Sequence, residues 1–379
     1  MHGHTNPTIS VGRALRDRGH AVAWAGYNHP SQSLLPDDAE VLPVFQELPE
    51  DIVESVQTKS RGLRGAASLN FLFEDFMLPM ARAMAEGVDR AIDLFQPDVV
   101  ISDQQTLAGA IVAERRGLPW ATSATTSGEF MYPFARMPKL EAWINEKLHQ
   151  LQRDLGLPED RVEKCNPRFS EHLIIVFSVP ELVGITDFPP KLAFVGASVH
   201  ARPEVADFPW EWLDESRPRL LISLGTLNAE AGSRFFRAVL EAFAEPDRQV
   251  ILVAPPDAVG PVPDHFLVRD LVPQLSLLKR VSGVVCHGGH NTVCESLAEG
   301  LPLVVCPIRD DQPLIAQQVA NAGAGIRVRF GRVRAEALRS AVDQILTEPS
   351  FRRAARSIGD SLRRAGGAAY AAERLEALL

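Results

Sequence analysis

Short runs of aliphatic and β-branched residues alternate with longer stretches in which apolar positions recur every three or four residues, and the alternation runs through both halves of the chain. A strand buried on both faces reads as a continuous apolar run, and two parallel strands need a crossover long enough to hold a helix. The pattern therefore predicts an α/β protein with doubly wound parallel sheets covered by helices. Strands are expected at 21–25, 41–45, 99–102, 120–123 and 173–177 in the first half, and at 220–223, 250–253, 284–286 and 303–306 in the second. Between the halves, residues 195–218 mix glycine, prolines and acidic residues with neither period, which predicts a linker. The closing stretch 350–379 predicts amphipathic helices interrupted at Gly366-Gly367.

The start of the chain breaks the pattern. Met1-His2-Gly3-His4-Thr5-Asn6-Pro7 reads as a loop, followed by a helical period carried by Val11 and Leu15 that stops near Gly19. In a doubly wound domain such a loop follows the first strand, which lies at the centre of the sheet. The expectation is a natural start roughly ten residues upstream, the length of a short strand and its lead-in.

Composition narrows the classes of function. A chain of 379 residues exceeds one ordinary core and fits two domains. Its 46% hydrophobic and 23% charged residues are those of a globular protein. A net charge of −9 argues against an electrostatic grip on nucleic acid. The cysteines Cys165, Cys286, Cys294 and Cys306 lack metal-ligand spacing, and Cys286 and Cys306 stand in apolar runs, which suits a reducing compartment. No apolar run of membrane-spanning length and no signal-peptide layout occurs, so no integral membrane segment and a cytoplasmic location are expected.

The chemistry concentrates in the second half. An apolar strand runs into His287-Gly288-Gly289-His290, a helix is predicted over 291–299, and Gly300 precedes the next strand. Glycines let backbone N–H groups approach a phosphate, and the helix presents its positive end and unpaired N–H groups to the same point. His287 and Thr292 add side-chain donors. The loop Ile308-Arg309-Asp310-Asp311-Gln312 follows the next strand at the same carboxyl edge, where open α/β sheets bind ligands. A carboxylate and an amide there can hold several hydroxyls of a sugar. Gly225-Thr226 ends the first strand of this half on that edge as well.

Together with Leu271-Val272-Pro273-Gln274, this block resembles the donor signature of the GT-B glycosyltransferases of family 1, which include bacterial antibiotic and macrolide enzymes and plant secondary-product enzymes. The resemblance covers nearly the whole chain. It implies two Rossmann-like doubly wound domains facing across a cleft: an acceptor-binding domain over 1–195, a linker over 196–217, a donor-binding domain over 218–360, and a C-terminal helix over 361–379 crossing back to the first domain. It implies that Val272 and Gln274 contact the nucleotide base, and that Thr226, His287, Gly289, Asn291 and Thr292 cradle the diphosphate. Glu295 matches a ribose contact, and Asp311 with Gln312 the sugar-binding pair. Where many relatives stack a tryptophan on the base, this chain has Leu271, and His290 stands where others carry a small or aromatic residue.

Inverting transfer needs a base to take the acceptor's proton, a task that suits histidine near neutral pH. The segment around His4 resembles the family's catalytic loop, and His4 aligns with its base. Asp103, at the end of the strand predicted at 99–102, is the carboxylate expected to hold the imidazole's tautomer; Asp98 starts that strand, away from the ligand edge. The pair Asp310-Asp311 raises the alternative of a divalent ion, as in the GT-A transferases, but the helix end and side-chain donors already offer positive potential for the departing diphosphate. No metal and no other cofactor is expected.

For the acceptor, the segments 71–80 and 130–137 carry aromatic and methionine residues that could line an apolar pocket, with Phe130, Met131 and Tyr132 the candidates. The spacing of Phe71, Phe76 and Met80 fits equally a helix burying one face. The implied activity is an inverting glycosyltransferase that moves a hexose or deoxyhexose from a UDP- or TDP-sugar to a hydroxyl of a hydrophobic natural-product aglycone. The partners are the nucleotide-sugar donor and that small-molecule acceptor, with no oligomeric state implied. A nucleotide-sugar epimerase of the same architecture and a non-catalytic transferase partner are the alternatives.

Overall fold

The computed structural model describes residues 2–27, 35, 36, 38–45, 50, 52, 59, 63, 65–127, 137–198, 207–225 and 233–379. The chain divides into two compact units, one of 1–177, 187–202 and 366–379, the other of 178–186 and 203–365.

The second unit is built on β7 (Arg219–Ser223), β8 (Gln249–Val253), β9 (Phe266–Arg269), β10 (Gly283–Cys286), β11 (Leu303–Val305) and β12 (Gly325–Arg327). They form one parallel sheet in the order β12-β11-β10-β7-β8-β9. The chain winds outward from β7 in both directions, so the switch point lies between β7 and β10. The inner strands have aliphatic centres, Leu220 to Ile222 and Val284 to Val285, because both faces are covered. On one face the helices Ser233–Ala242 and Ala335–Thr347 bury Phe235, Phe236, Val239, Leu338 and Val342 against Leu220, Ile222, Val250 and Leu252. Each such side chain contributes about 1.5–3 kcal/mol when fully buried. The helix His290–Ala298 packs against Pro349–Arg364. A Cβ on Gly359 would lie 2.4 Å from the carbonyl of Leu297, which fixes how closely those two helices approach.

The first unit is less regular. Its strands β1 (Ala23–Tyr27), β2 (Glu40–Phe45), β3 (Val100–Asp103), β4 (Trp120–Ala124), β5 (Leu173–Val176) and β6 (Leu192–Phe194) form two parallel sheets, β1-β2 and β3-β4-β5-β6. Strands β4 and β5 are buried throughout. Strand β3 stands at a sheet edge and leaves Ile101 39% exposed, where an inner strand of a single continuous sheet would bury it. The helix Leu78–Phe95 covers β2 so closely that a Cβ on Gly87 would fall 1.8 Å from the carbonyl oxygen of Val44.

One expectation is corrected. The opening segment, which reads as a loop, is the first part of a helix, His2–Asp17, that contains Pro7. Pro7 is the sixth residue of that helix, beyond the first turn whose donors lack partners, so it gives up one intrahelical hydrogen bond at a cost of about 3 kcal/mol. Burial outweighs that cost: Ile9, Ser10 and Val11 are nearly inaccessible, and a Cβ on Gly12 would lie 2.5 Å from the Trp24 ring of β1. The C-terminal helix Gly367–Glu376 packs on the same helix, with Glu376 accepting from Arg18 and, at 2.9 Å, from His20 Nε2.

The aromatic segment 71–80 is helical, a π-helical stretch Phe71–Met77 leading into Leu78–Phe95, and Phe73, Met77 and Met80 are core residues. Among the described residues, no helix is long and apolar enough to cross a membrane.

Candidate active site

In the first unit three chain segments meet beside the carboxyl ends of β3 and β4. His4 lies in the first turn of the N-terminal helix, Asp103 is the last residue of β3, and Thr125 follows β4 directly. His4 Nδ1 is 3.0 Å from each oxygen of Asp103. A carboxylate offers only acceptors, so this approach selects the tautomer with the proton on Nδ1 and makes Nε2 the basic nitrogen. Asp103 Oδ1 also accepts the backbone N–H of Gln105 at 2.9 Å, which holds the carboxylate in a turn leading into the helix Leu107–Arg115. The side chains of His4 and Asp103 are 28% and 11% exposed, so the ring is reachable while its carboxylate is shielded. Asp98 lies exposed at the opposite end of β3.

Thr125 carries no motif, and sequence reasoning missed it. Its hydroxyl lies 2.9 Å from His4 Nδ1 and donates to Asp103 Oδ2 at 3.1 Å. The available signal is positional: Asp103 pairs with Ser123 across β3 and β4, and Thr125 is two residues further on, at the edge where ligands bind.

In the second unit the glycine turn and the loop 308–312 come together. Gly288 adopts φ 91°, a left-handed conformation favoured by glycine, and a Cβ there would lie 2.9 Å from Val305 and 3.2 Å from the carbonyl of Gln312. The His287 ring is packed between Gly225 and Gly289, whose added Cβ atoms would lie 2.8 and 2.6 Å from it. Burial pushes the His287 pKa down to about 4, with Arg309 adding to the shift and the Ser223 backbone opposing it, so the imidazole is neutral at pH 7. The helix His290–Ala298 starts at this turn, with Asn291 and Thr292 in its first turn. Its first backbone N–H groups have no partners within the helix, and they carry the positive end of its dipole. His290 is buried, its Nε2 3.5 Å from Cys294 Sγ one turn on.

Val272 is buried beside the exposed Leu271, which is 56% accessible. Gln274 donates its amide to the buried carboxylate of Glu295, so the expected base and ribose contacts already touch each other. Gln312 uses its carbonyl oxygen to accept the N–H groups of Ile308 and Arg309, at 2.9 and 3.1 Å. Its amide nitrogen is therefore the end suited to a sugar hydroxyl. Asp311 precedes the helix Gln312–Asn321 beside it, and Asp310 pairs with Arg309 at 3.5 Å. Thr226 and the acceptor candidates Phe130, Met131 and Tyr132 lie outside the described residues.

The two parallel α/β units, one carrying a histidine–aspartate pair and the other a glycine turn at a helix start, have the GT-B fold. Residues 237–378 match the family model described as Erythromycin biosynthesis protein CIII-like, C-terminal domain. The whole chain is 27% identical to the NDP-glycosyltransferase YjiC of Bacillus licheniformis, covering 95% of that relative. It is also 28% identical over its full length to the demethyllactenocin mycarosyltransferase of Streptomyces fradiae, covering 84% of it. Among solved structures, spinosyn rhamnosyltransferase SpnG complexed with thymidine diphosphate matches with a TM-score of 0.76 at 21% identity, over 99% of this chain and 97% of that one. The chain is a glycosyltransferase; these relatives lend no support to an epimerase or a non-catalytic partner.

Proposed function

We propose that this glycosyltransferase moves a hexose or deoxyhexose from a nucleoside diphosphate sugar to a hydroxyl of a hydrophobic small-molecule aglycone, with inversion at the anomeric carbon. The observation that carries the proposal is the contact of His4 Nδ1 with both oxygens of Asp103. With Nδ1 protonated, Nε2 takes the acceptor's hydroxyl proton as the oxygen attacks the anomeric carbon. Asp103 stabilises the imidazolium that forms without itself taking the proton. The bond to the diphosphate breaks in the same displacement, and the leaving charge falls on the N–H groups at the start of His290–Ala298.

The diphosphate cradle is assigned to Thr226, His287, Gly289, Asn291 and Thr292, the base to Val272 and Gln274, the ribose to Glu295, and the sugar hydroxyls to Asp311 and Gln312. No metal is needed in this scheme, because helix end, neutral imidazole and hydroxyl supply the donors; transfer should persist in EDTA. Phe130, Met131 and Tyr132 are assigned to the acceptor, and the cytoplasm is the proposed compartment. The donor is assigned as a UDP- or TDP-sugar; the relatives named above support a nucleoside diphosphate sugar, the rhamnosyltransferase complex a thymidine one, and the mycarosyl- and rhamnosyltransferases a deoxysugar.

The test begins with calorimetric binding of UDP-glucose and TDP-deoxysugars, followed by product mass with hydroxylated hydrophobic acceptors. His4→Ala should abolish transfer while leaving donor affinity near its original value. Transfer that survives this substitution, or donor binding lost with it, would overturn the division of roles.

A further inference from the structure

We infer that Thr125 is the third member of the base assembly, a positioning residue that holds the Asp103 carboxylate against His4 and tempers its charge. The inference rests on His4 acting as the base.

A hydroxyl has one proton to give. Beside an ionised carboxylate it goes to Asp103 Oδ2, 3.1 Å away, and a lone pair of the same oxygen faces His4 Nδ1 at 2.9 Å. The carboxylate is thereby fixed from two sides, by the Gln105 N–H on Oδ1 and by Thr125 on Oδ2, and the Nδ1 proton sits among three acceptors. Rotation of the carboxylate about its Cβ–Cγ bond would break one of these contacts, so the imidazole plane inherits a fixed orientation. Thr125 is 5% exposed and follows the fully buried strand β4, so its own position is set by the sheet.

The second effect is electrostatic. A hydrogen bond donated to a carboxylate spreads its charge and reduces its pull on a neighbouring imidazolium. Thr125 therefore keeps His4 easier to deprotonate than Asp103 alone would, which favours the free base at neutral pH. On the N-terminal helix Arg13, Arg16 and Asp17 stand in the half away from His4, with Arg16 paired to Asp38. Past its end Arg18 and His20 pair with Glu376 of the C-terminal helix, which also carries Glu373 and Arg374, and on the helix Leu107–Arg115 Glu114 pairs with Arg161 and Arg115 with Asp89.

The test compares Thr125→Val and Thr125→Ser, with Asp103→Asn and Asp103→Asn/Thr125→Val, each measured for kcat, KM for both substrates and the pH dependence of kcat/KM. Thr125→Val should lower kcat about tenfold, the loss of one well-placed hydrogen bond, with donor KM unchanged. The acid limb of its profile should move to higher pH, because an untempered carboxylate raises the histidine's affinity for a proton. Thr125→Ser restores the hydroxyl and should recover most of the rate and the original limb. In the Asp103→Asn background the valine substitution should cost far less, since the carboxylate it acts on is gone. A Thr125→Val enzyme with unchanged kcat and limb, or a serine variant as slow as the valine one at equal thermal stability, overturns the inference. If His4→Ala transfers sugar normally, the base assignment falls and this inference with it; if His4→Ala is inactive and Thr125→Val is unaffected, Thr125 alone is excluded.

Discussion

The two sites solve different problems with different parts of the polypeptide. The base assembly of the first unit is made of side chains from distant segments: His4 and Asp103 are 99 residues apart, and His4 and Thr125 are 121 apart. The glycine turn and helix start of the second unit are contiguous in sequence, and much of their binding capacity is backbone. A proton must be taken by one atom of defined basicity, which only a side chain supplies, whereas a diffuse diphosphate charge is met well by several fixed N–H groups. The first site should therefore fail when a functional group is removed, and the second when an atom is added.

The largest effect tests the first half of that contrast. His4→Ala should reduce kcat at least about a thousandfold and Asp103→Asn by up to about 10⁴, the order of loss when the carboxylate behind a histidine base loses its charge. Steady-state rates with a saturating donor check this. Losses that appear in donor KM instead of kcat would mean the pair belongs to the binding site.

For the second site the matching experiment adds a methyl group. Gly289→Ala is compatible with the backbone, which has φ −62° there, but its Cβ would lie 2.6 Å from His287 Nε2. The ring must move out of the cradle, and donor dissociation constants should rise about ten- to a hundredfold by calorimetry, with kcat reduced less. An alanine variant that binds donor normally would show that the ring's place between the glycines is immaterial.

His287 also marks a difference in how the sites respond to acid. A histidine whose pKa falls from 6.5 to about 4 on folding leaves the unfolded chain holding more protons between those values. Its contribution to stability is complete above about pH 6.5 and is lost as pH falls toward 4, about 3 kcal/mol in all. Carboxylates titrate in part of that range as well, so the measurement is comparative. Denaturant midpoints of the wild type and of His287→Asn at pH 7 and 4.5 should converge in acid, the asparagine variant losing less. Parallel lines would mean that the buried imidazole is protonated without cost.

The same contrast explains what the sequence made legible. Short aliphatic runs such as Leu220 to Ile222 announce inner strands because both faces are buried. The strands Leu192–Phe194, Phe266–Arg269 and Gly325–Arg327 escape notice because three or four residues cannot display a period and flanking polar residues dilute them. The helical period of Val11 and Leu15 was legible, but the opening turns of that helix were hidden by Gly3, Asn6 and Pro7, all local breakers; their formation is decided by burial of Ile9 and Val11 and by the Trp24 ring against Gly12. The glycine turn and the loop 308–312 were legible because their parts are adjacent in the chain. His4 and Asp103 could be paired only through the shared sheet edge and the resemblance, and Thr125, a lone threonine after a strand, became visible only in three dimensions.

The smallest expected effect concerns the rim of the donor site. Leu271 is 56% exposed immediately before the buried Val272, an unusual position for a leucine on a water-facing surface. An aliphatic side chain there can cover a nucleotide base by contact alone. An indole would add a planar face matched to the base, worth about 0.5–1.5 kcal/mol beyond the buried area. Leu271→Trp should thus tighten nucleoside diphosphate binding about three- to tenfold, equally for the free diphosphate and for the sugar donor, since the base is common to both. Because the gain is the same in the ground and transition states, kcat should not change. Tighter binding confined to the sugar donor, or a change in kcat with affinity constant, would place Leu271 beside the sugar and move the base elsewhere along the 271–274 segment.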